Sequence, residues 1–300
     1  MTSSDLLTRF LLPQAGIRGV HVRLDPSWKT ILRHGGKYPP IGTSLLGEAT
    51  VAAALFTGHA KLDGHLSIQL RTNPGSAVRS LFAECTAAGT IRSIMRLADG
   101  SSDAPSDLRE LGKDALLAIT VENPGLDPSV PQRYQSLVTP DAPHMNQIFE
   151  AYFKQSEQLP TRLLLAASDQ EAVGLFLQKL PDDAGDDDGW TRINMLFDTL
   201  EKSELLTTPM PALLNRLFHE ENPEILGEKP LRFGCSCSRE RVVAMLQALG
   251  KDEAFAATEG TGTAEVLCEF CGRQYRFSAT EIMGLFENDK VLMNAPDRLQ

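Results

Sequence analysis

The chain has 300 residues, 42% of them hydrophobic and 23% charged, with a net charge of −10. That length exceeds the usual single core, so two or more domains are expected. The acidic balance argues against sequence-independent nucleic-acid binding, and five cysteines in so long a chain do not make a secreted disulfide scaffold.

Met1 to Phe10 lacks a basic region followed by a long apolar stretch, and no run of about 18 apolar residues is apparent. The expectation is a cytoplasmic protein with no membrane partner. Ile17 to Leu24 alternates as a strand does. Asp25-Pro26-Ser27 then reads as a helix start, with Asp25 as cap, and His34-Gly35-Gly36 as its end. Pro39-Pro40 reads as a break, and Leu45 to Phe56 as a buried helix.

Leu66–Leu70, Val78–Phe82 and Ile91–Leu97 follow as neighbouring antiparallel strands. Ala115–Val121 and Tyr134–Val138 are further strand candidates. Met145–Phe153 has helical spacing, and Thr161–Ala167 and Ala172–Leu180 read as a buried strand pair. This mixture predicts an α+β fold, with an N-terminal mixed α/β sheet domain over residues 1–180.

Pro181 to Gly189 reads PDDAGDDDG, a polar break. Two amphipathic helices are predicted after it. The first carries Trp190, Ile193, Leu196 and Phe197; the second, opened by Thr208-Pro209, carries Leu213, Leu214, Leu217 and Phe218. Their apolar faces must rest on something, and the surface of the sheet domain is the expected support. Residues 181–231 thus read as a helical segment between the sheet domain and the cysteine-bearing module. Pro211, just inside the second helix, is expected to weaken it.

The last segment, residues 232–300, reads as a small α+β domain. Ser238 is a cap candidate for a helix over Arg239–Leu249, Ala264–Leu267 and Gln274–Phe277 resemble a hairpin, and Ser278 caps a last helix through Phe286. The final residues are expected to fray. Here lie Cys235-Ser-Cys237 and, thirty residues on, Cys268-Glu-Phe-Cys271. Two close pairs on separate turns supply the four thiolates of a tetrahedral zinc site. One zinc ion on Cys235, Cys237, Cys268 and Cys271 is the predicted cofactor.

Spacing alone leaves two roles open. A module of about 70 residues has a thin core, so the metal is a stabilising staple. Alternatively the site senses oxidants, because zinc holds thiols as thiolates and thiolates are the form that oxidants attack. The fifth cysteine, Cys85, sits in the apolar stretch LFAEC and reads as a packed small hydrophobe. The six histidines are scattered, and each reads as a surface or satisfied residue.

No Gly-x-Ser-x-Gly, phosphate loop or dinucleotide fingerprint is present, and no thioredoxin-like unit surrounds Cys268 and Cys271, so no enzyme is expected. The competing reading is a structural zinc module that binds a protein or nucleic-acid partner. Residues 231–300 hold eight Lys/Arg and ten Asp/Glu, which leaves no basic footprint for nucleic acid.

FGCSCSRERV (Phe233–Val242) and CEFCGRQYRF (Cys268–Phe277) resemble the two cysteine signatures of the heat-shock protein 33 family, the redox-regulated 33 kDa chaperonin. GEATVAAAL, KLDGHLSIQL, YFKQSEQLPTRL and SELLTTP upstream resemble further landmarks, so the likeness spans essentially the whole chain. The resemblance implies an ATP-independent holdase of the oxidative-stress response, inactive when reduced and zinc-bound. It implies that residues 181–231 are a metastable helical linker, and that oxidation pairs Cys235 with Cys237 and Cys268 with Cys271, releases zinc and unfolds that linker. Unfolding client proteins would then bind the exposed linker residues Trp190, Ile193, Leu196, Phe197, Leu213, Leu214, Leu217 and Phe218. It further implies a monomer when reduced and a homodimer when oxidised.

Overall fold

The computed structural model describes residues 5–60, 62–125, 131–181 and 185–287. The chain divides into two compact units, residues 1–234 and 235–300. The final residues and part of the acidic run (182–184) lie outside the described residues.

The first unit begins with β1 (Leu6–Leu12), β2 (Ile17–Leu24), α1 (Pro26–Gly35) and α2 (Pro40–His59). Strands β3 (His65–Arg71), β4 (Val78–Thr86), β5 (Thr90–Leu97), β6 (Leu116–Asn123) and β7 (Gln132–Val138) follow, then α3 (Met145–Ser156), β8 (Thr161–Ala167) and β9 (Ala172–Lys179). The linker region folds as α4 (Gly189–Phe197), α5 (Lys202–Thr207) and α6 (Met210–Phe218), and the unit closes with β10 (Glu224–Pro230) and β11 (Arg232–Phe233). Two sheets result, in orders β10-β1-β2-β9-β8 and β11-β5-β4-β3-β6-β7. The meander β3–β4–β5 and the pair β8–β9 are antiparallel, as the alternation predicts.

Between the sheets lies α2. Fifteen of its twenty residues are buried, among them Leu46, Val51, Leu55 and Phe56. A helix apolar on every side has nowhere to go but a core. By length and composition alone this helix could cross a membrane, but 83% of that window is buried inside the protein. Pro39-Pro40 starts this helix rather than interrupting the chain, because Pro40 takes the first-turn position where a missing N–H costs nothing.

The cap of α1 also differs from expectation. The side chain of Asp25 caps nothing; it pairs with Lys29 at 2.8 Å. The carboxylate of Asp5 instead accepts from the backbone N–H groups of Asp25 (2.7 Å) and Ser27 (2.9 Å). A cap delivered across twenty residues of sequence leaves no local signal.

The five-stranded sheet has two apolar faces. Val20, Val22, Leu24 and Phe176 pack with α2. On the other face, Phe10, Leu12, Ile17, Val173, Leu175 and Leu177 form a second core with α4, α5 and α6. The predicted support for the linker helices is this sheet face. Pro211 sits in the first turn of α6, where proline is tolerated, so it does not weaken the helix. Strands β1 and β10 and helix α5 add to the predicted elements. β10 is an edge strand with mostly exposed side chains and a register shift opposite Arg9/Phe10, which hides it from pattern reading.

The second unit contains α7 (Arg239–Leu249), α8 (Lys251–Ala256), the antiparallel hairpin β12 (Thr263–Leu267) and β13 (Gln274–Ser278), and α9 (Ala279–Glu287). Ser238 caps α7 by accepting from the N–H of Arg241 at 3.3 Å. At α9 a reciprocal box forms: Ser278 Oγ accepts from the N–H of Glu281, and Glu281 accepts from the N–H of Ser278. Its core is small: Val242, Leu246, Ala254, Ala264, Tyr275, Phe277 and Ile282.

Candidate metal centre

Cys235 and Cys237 lie in the irregular stretch leading to α7, and Cys268 and Cys271 at the tip of the β12–β13 hairpin. Ser236 accepts a hydrogen bond from Arg241 at 2.6 Å, tying the first pair to the first turn of α7. The second pair is shaped by backbone bonds: Cys268 N–H to the Arg273 carbonyl at 2.9 Å and Gly272 N–H to the Cys268 carbonyl at 2.7 Å. Gly272 has φ 69°, a left-handed conformation that lets the turn close within four residues.

All five cysteines are free thiols. The four clustered sulfurs lie within 4.8 Å of one another. Cys235 approaches Cys268 at 3.6 Å and Cys237 approaches Cys271 at 3.4 Å. A tetrahedron with metal–sulfur bonds of about 2.3 Å has edges of about 3.8 Å. The donor set and its spacing therefore fit one soft, tetrahedral ion. Among the described residues no other group of His, Cys, Asp or Glu is so arranged.

The thiols are not alike. At Cys237 burial opposes ionisation, but the neighbouring Tyr275 hydroxyl and the other cysteines outweigh it and draw the thiol down to about 7. Burial pushes Cys271 up to about 12. The buried Tyr275 hydroxyl favours the Cys237 thiolate, although the contact does not meet full hydrogen-bond geometry. Tyr275 is a neighbour that cysteine spacing does not announce. Its place in the hairpin register opposite Val266 turns it toward the small core. Cys85 stands apart: it is fully buried in the first unit, and burial raises its thiol to about 12.

The linker residues are brought together in the first unit. Ile193, Phe197, Leu213, Leu214, Leu217 and Phe218 are buried in one cluster, with Trp190 and Leu196 packed at its margin. Leu200, Leu205 and Met210 join them. Polar clasps that sequence reading missed hold the helices down. Arg23 donates to the carbonyls of Leu205 (3.0 Å), Leu206 (2.5 Å) and Thr208 (2.8 Å), and pairs with Glu171. Arg162 binds Asn194 (2.8 Å) and Asp198 (2.6 Å) and lies over the Phe197 ring at 4.8 Å. Lys202 reaches Glu48 of α2 at 2.6 Å.

A family model, Hsp33 protein, matches residues 5–278. The chain belongs to the Hsp33 family. The 33 kDa chaperonin of Nitrosococcus oceani is 38% identical to it over 287 residues, covering 95% of this chain and 96% of the relative. The 33 kDa chaperonin of Ectopseudomonas mendocina is 39% identical, covering 94% and 95%. The crystal structure of the 33 kDa chaperonin from Thermotoga maritima superposes with a TM-score of 0.77 over 96% of this chain and 99% of that one. At 21% identity that likeness speaks to the fold alone. Membership in the Hsp33 family and the α+β architecture thus agree with the motif-level resemblance.

Proposed function

We propose that this Hsp33-family chain is a redox-regulated, ATP-independent holdase. The observation that carries the reading is the set of four thiols within reach of one ion, in a module whose own core is too thin to be stable without help. Bound to Cys235, Cys237, Cys268 and Cys271, zinc stabilises the folded module. Structural zinc contributes on the order of 10–16 kcal/mol in small domains of this kind. Oxidation removes the thiolates, and with them the ion and the fold it maintains.

In this reading Cys235 bonds to Cys237 and Cys268 to Cys271. Each disulfide forms from two thiolates with loss of two electrons to an oxidant of the hypochlorite or peroxide class, which leaves the ion without those two ligands. The linker, residues 181–231, is the element that then opens. Its helices cover an apolar sheet face while depending on a few polar clasps. Opening exposes two surfaces to an unfolding client: the linker's own Trp190, Ile193, Leu196, Phe197, Leu213, Leu214, Leu217 and Phe218, and the strand residues beneath them. A contiguous apolar patch of that kind binds non-native chains without sequence preference. The oxidised form is a dimer and the reduced form a monomer, acting in the cytoplasm with neither nucleic acid nor membrane as partner.

The test is aggregation of a heat-labile client, with the chain reduced and then oxidised and zinc release followed by a chromogenic chelator. Suppression should appear only after oxidation and in step with zinc loss. Equal suppression in both states would contradict the reading.

A further inference from the structure

His21 occupies the middle of β2. Strand alternation puts it on the same face as Ile17, which packs in the linker cluster, and Arg23, which binds carbonyls of α5. Its cross-strand neighbours, Thr8 on β1 and Leu175 on β9, are buried on that face too. The imidazole is 3% exposed, and Nε2 finds no hydrogen-bond partner among the described residues. A buried titratable ring thus sits on the sheet face that the linker helices cover. The cysteine chemistry makes no use of it.

The charges around it offer a protonated imidazole little help. On its own strand the neighbour is the Arg23 guanidinium, already paired with Glu171. Its partners in register on β1 and β9 are not titratable. On α4, Arg192 pairs with Asp186 and Glu221, and Asp198 at the helix end pairs with Arg162. On α5, Lys202 pairs with Glu48 and Glu204 with Arg216 of α6. Glu201, before α5, accepts from Ser203. Glu228 of β10 shares the register of Thr8, two strands away, about 10 Å across the sheet. Burial first, and Arg23 second, push the imidazole down to about 3.

We infer that the linker–sheet interface is an acid-sensitive latch, in which protonation of His21 releases the linker without oxidation of the cysteines. The docked state holds His21 neutral, whereas the open state returns it to water and to its ordinary range near 6.5. A group depressed by docking favours the docked state fully above about pH 6.5. It favours opening progressively as pH falls below that value toward 3. For one proton, the ratio of open to docked linker rises about tenfold between pH 7.5 and 5.5. The consequence for clients rests on the holdase reading; the release itself does not.

The experiment measures hydrogen-exchange protection factors across residues 189–218 in the reduced, zinc-loaded full chain at pH 7.5 and 5.5. His21→Leu and His21→Gln are run beside the wild type, with zinc content followed in all three. Protection should fall about tenfold in the wild type and stay within about twofold in both variants. Any acid release of zinc is common to the three proteins, so the difference between them reports on His21. Unchanged protection in the wild type, or an equal fall in the variants, would overturn the inference. Aggregation suppression by the oxidised wild type at pH 7.5 is measured separately. Its absence would remove the holdase reading and leave the latch result standing.

Discussion

Arg23 on β2 donates a hydrogen bond to the carbonyl of Leu205 on α5 at 3.0 Å, joining the sheet to the end of a six-residue helix. The same guanidinium reaches Leu206 and Thr208, so one side chain satisfies the carbonyls at which α5 gives way to the turn before α6. Those carbonyls have no helical partners of their own. The linker is therefore held both by apolar burial and by a charge fixed on the sheet.

Removing that charge should loosen the linker first at α5. Arg23→Met keeps much of the aliphatic stem but loses the donors, at a cost on the order of 2 kcal/mol, or roughly thirtyfold in the local open fraction. Hydrogen exchange in residues 202–208 of the reduced protein should show it, with β2 and β9 remaining protected. Unaltered exchange at α5 would mean that the clasp carries no weight.

Phe218 is the last residue of α6, is fully buried, and ends the apolar face of the linker. Phe218→Ala should cost about 3–5 kcal/mol of docking, because a large cavity opens where the ring was. The expected result is increased binding of an apolar dye by the reduced protein with zinc still in place. Wild-type dye binding in that variant would show that the linker docks without this contact.

Cys271→Ser removes one of four sulfur donors. Zinc affinity should fall by orders of magnitude, since a structural site needs its full closed set. The helicity of α7 and α9 should become sensitive to mild chelation, while α2 and β9 of the first unit stay protected. A full complement of zinc after dialysis against chelator would contradict the ligand assignment.

Burial that raises Cys85 to about 12 leaves it almost wholly protonated at pH 8. In the zinc-free reduced protein the metal-held module opens and returns its four thiols to solvent, so alkylation at pH 8 should modify those four rapidly and the fully buried Cys85 only when the first unit unfolds. Mass spectrometry of the time course reads this directly, and rapid labelling of Cys85 would overturn it.

The parts of this fold that follow one period in sequence were readable in advance. β2, β3, β8 and β9, helix α3 and the hairpin around Cys268 and Cys271 fall at or close to their predicted places. Ser238 and Ser278 cap where their positions indicate. What stayed hidden depends on contacts between distant segments. The Asp5 cap of α1, the Arg23 and Arg162 clasps and Tyr275 beside Cys237 have no signature within a local window. β10 was invisible because an exposed edge strand carries no buried alternation. Every residue of β9 from Ala172 to Gln178 is buried, and so continuous an apolar run indicates a strand covered on both faces. That run marks the sheet face on which the linker lies.

The central claim is that oxidative loss of the metal releases the linker. The most direct measurement follows zinc release and hydrogen exchange in residues 189–218 together, in one sample, during oxidation with hypochlorite. Protection in the linker should be lost in proportion to the zinc released, while α2 and β9 stay protected. Complete zinc release with the linker still fully protected would contradict the claim.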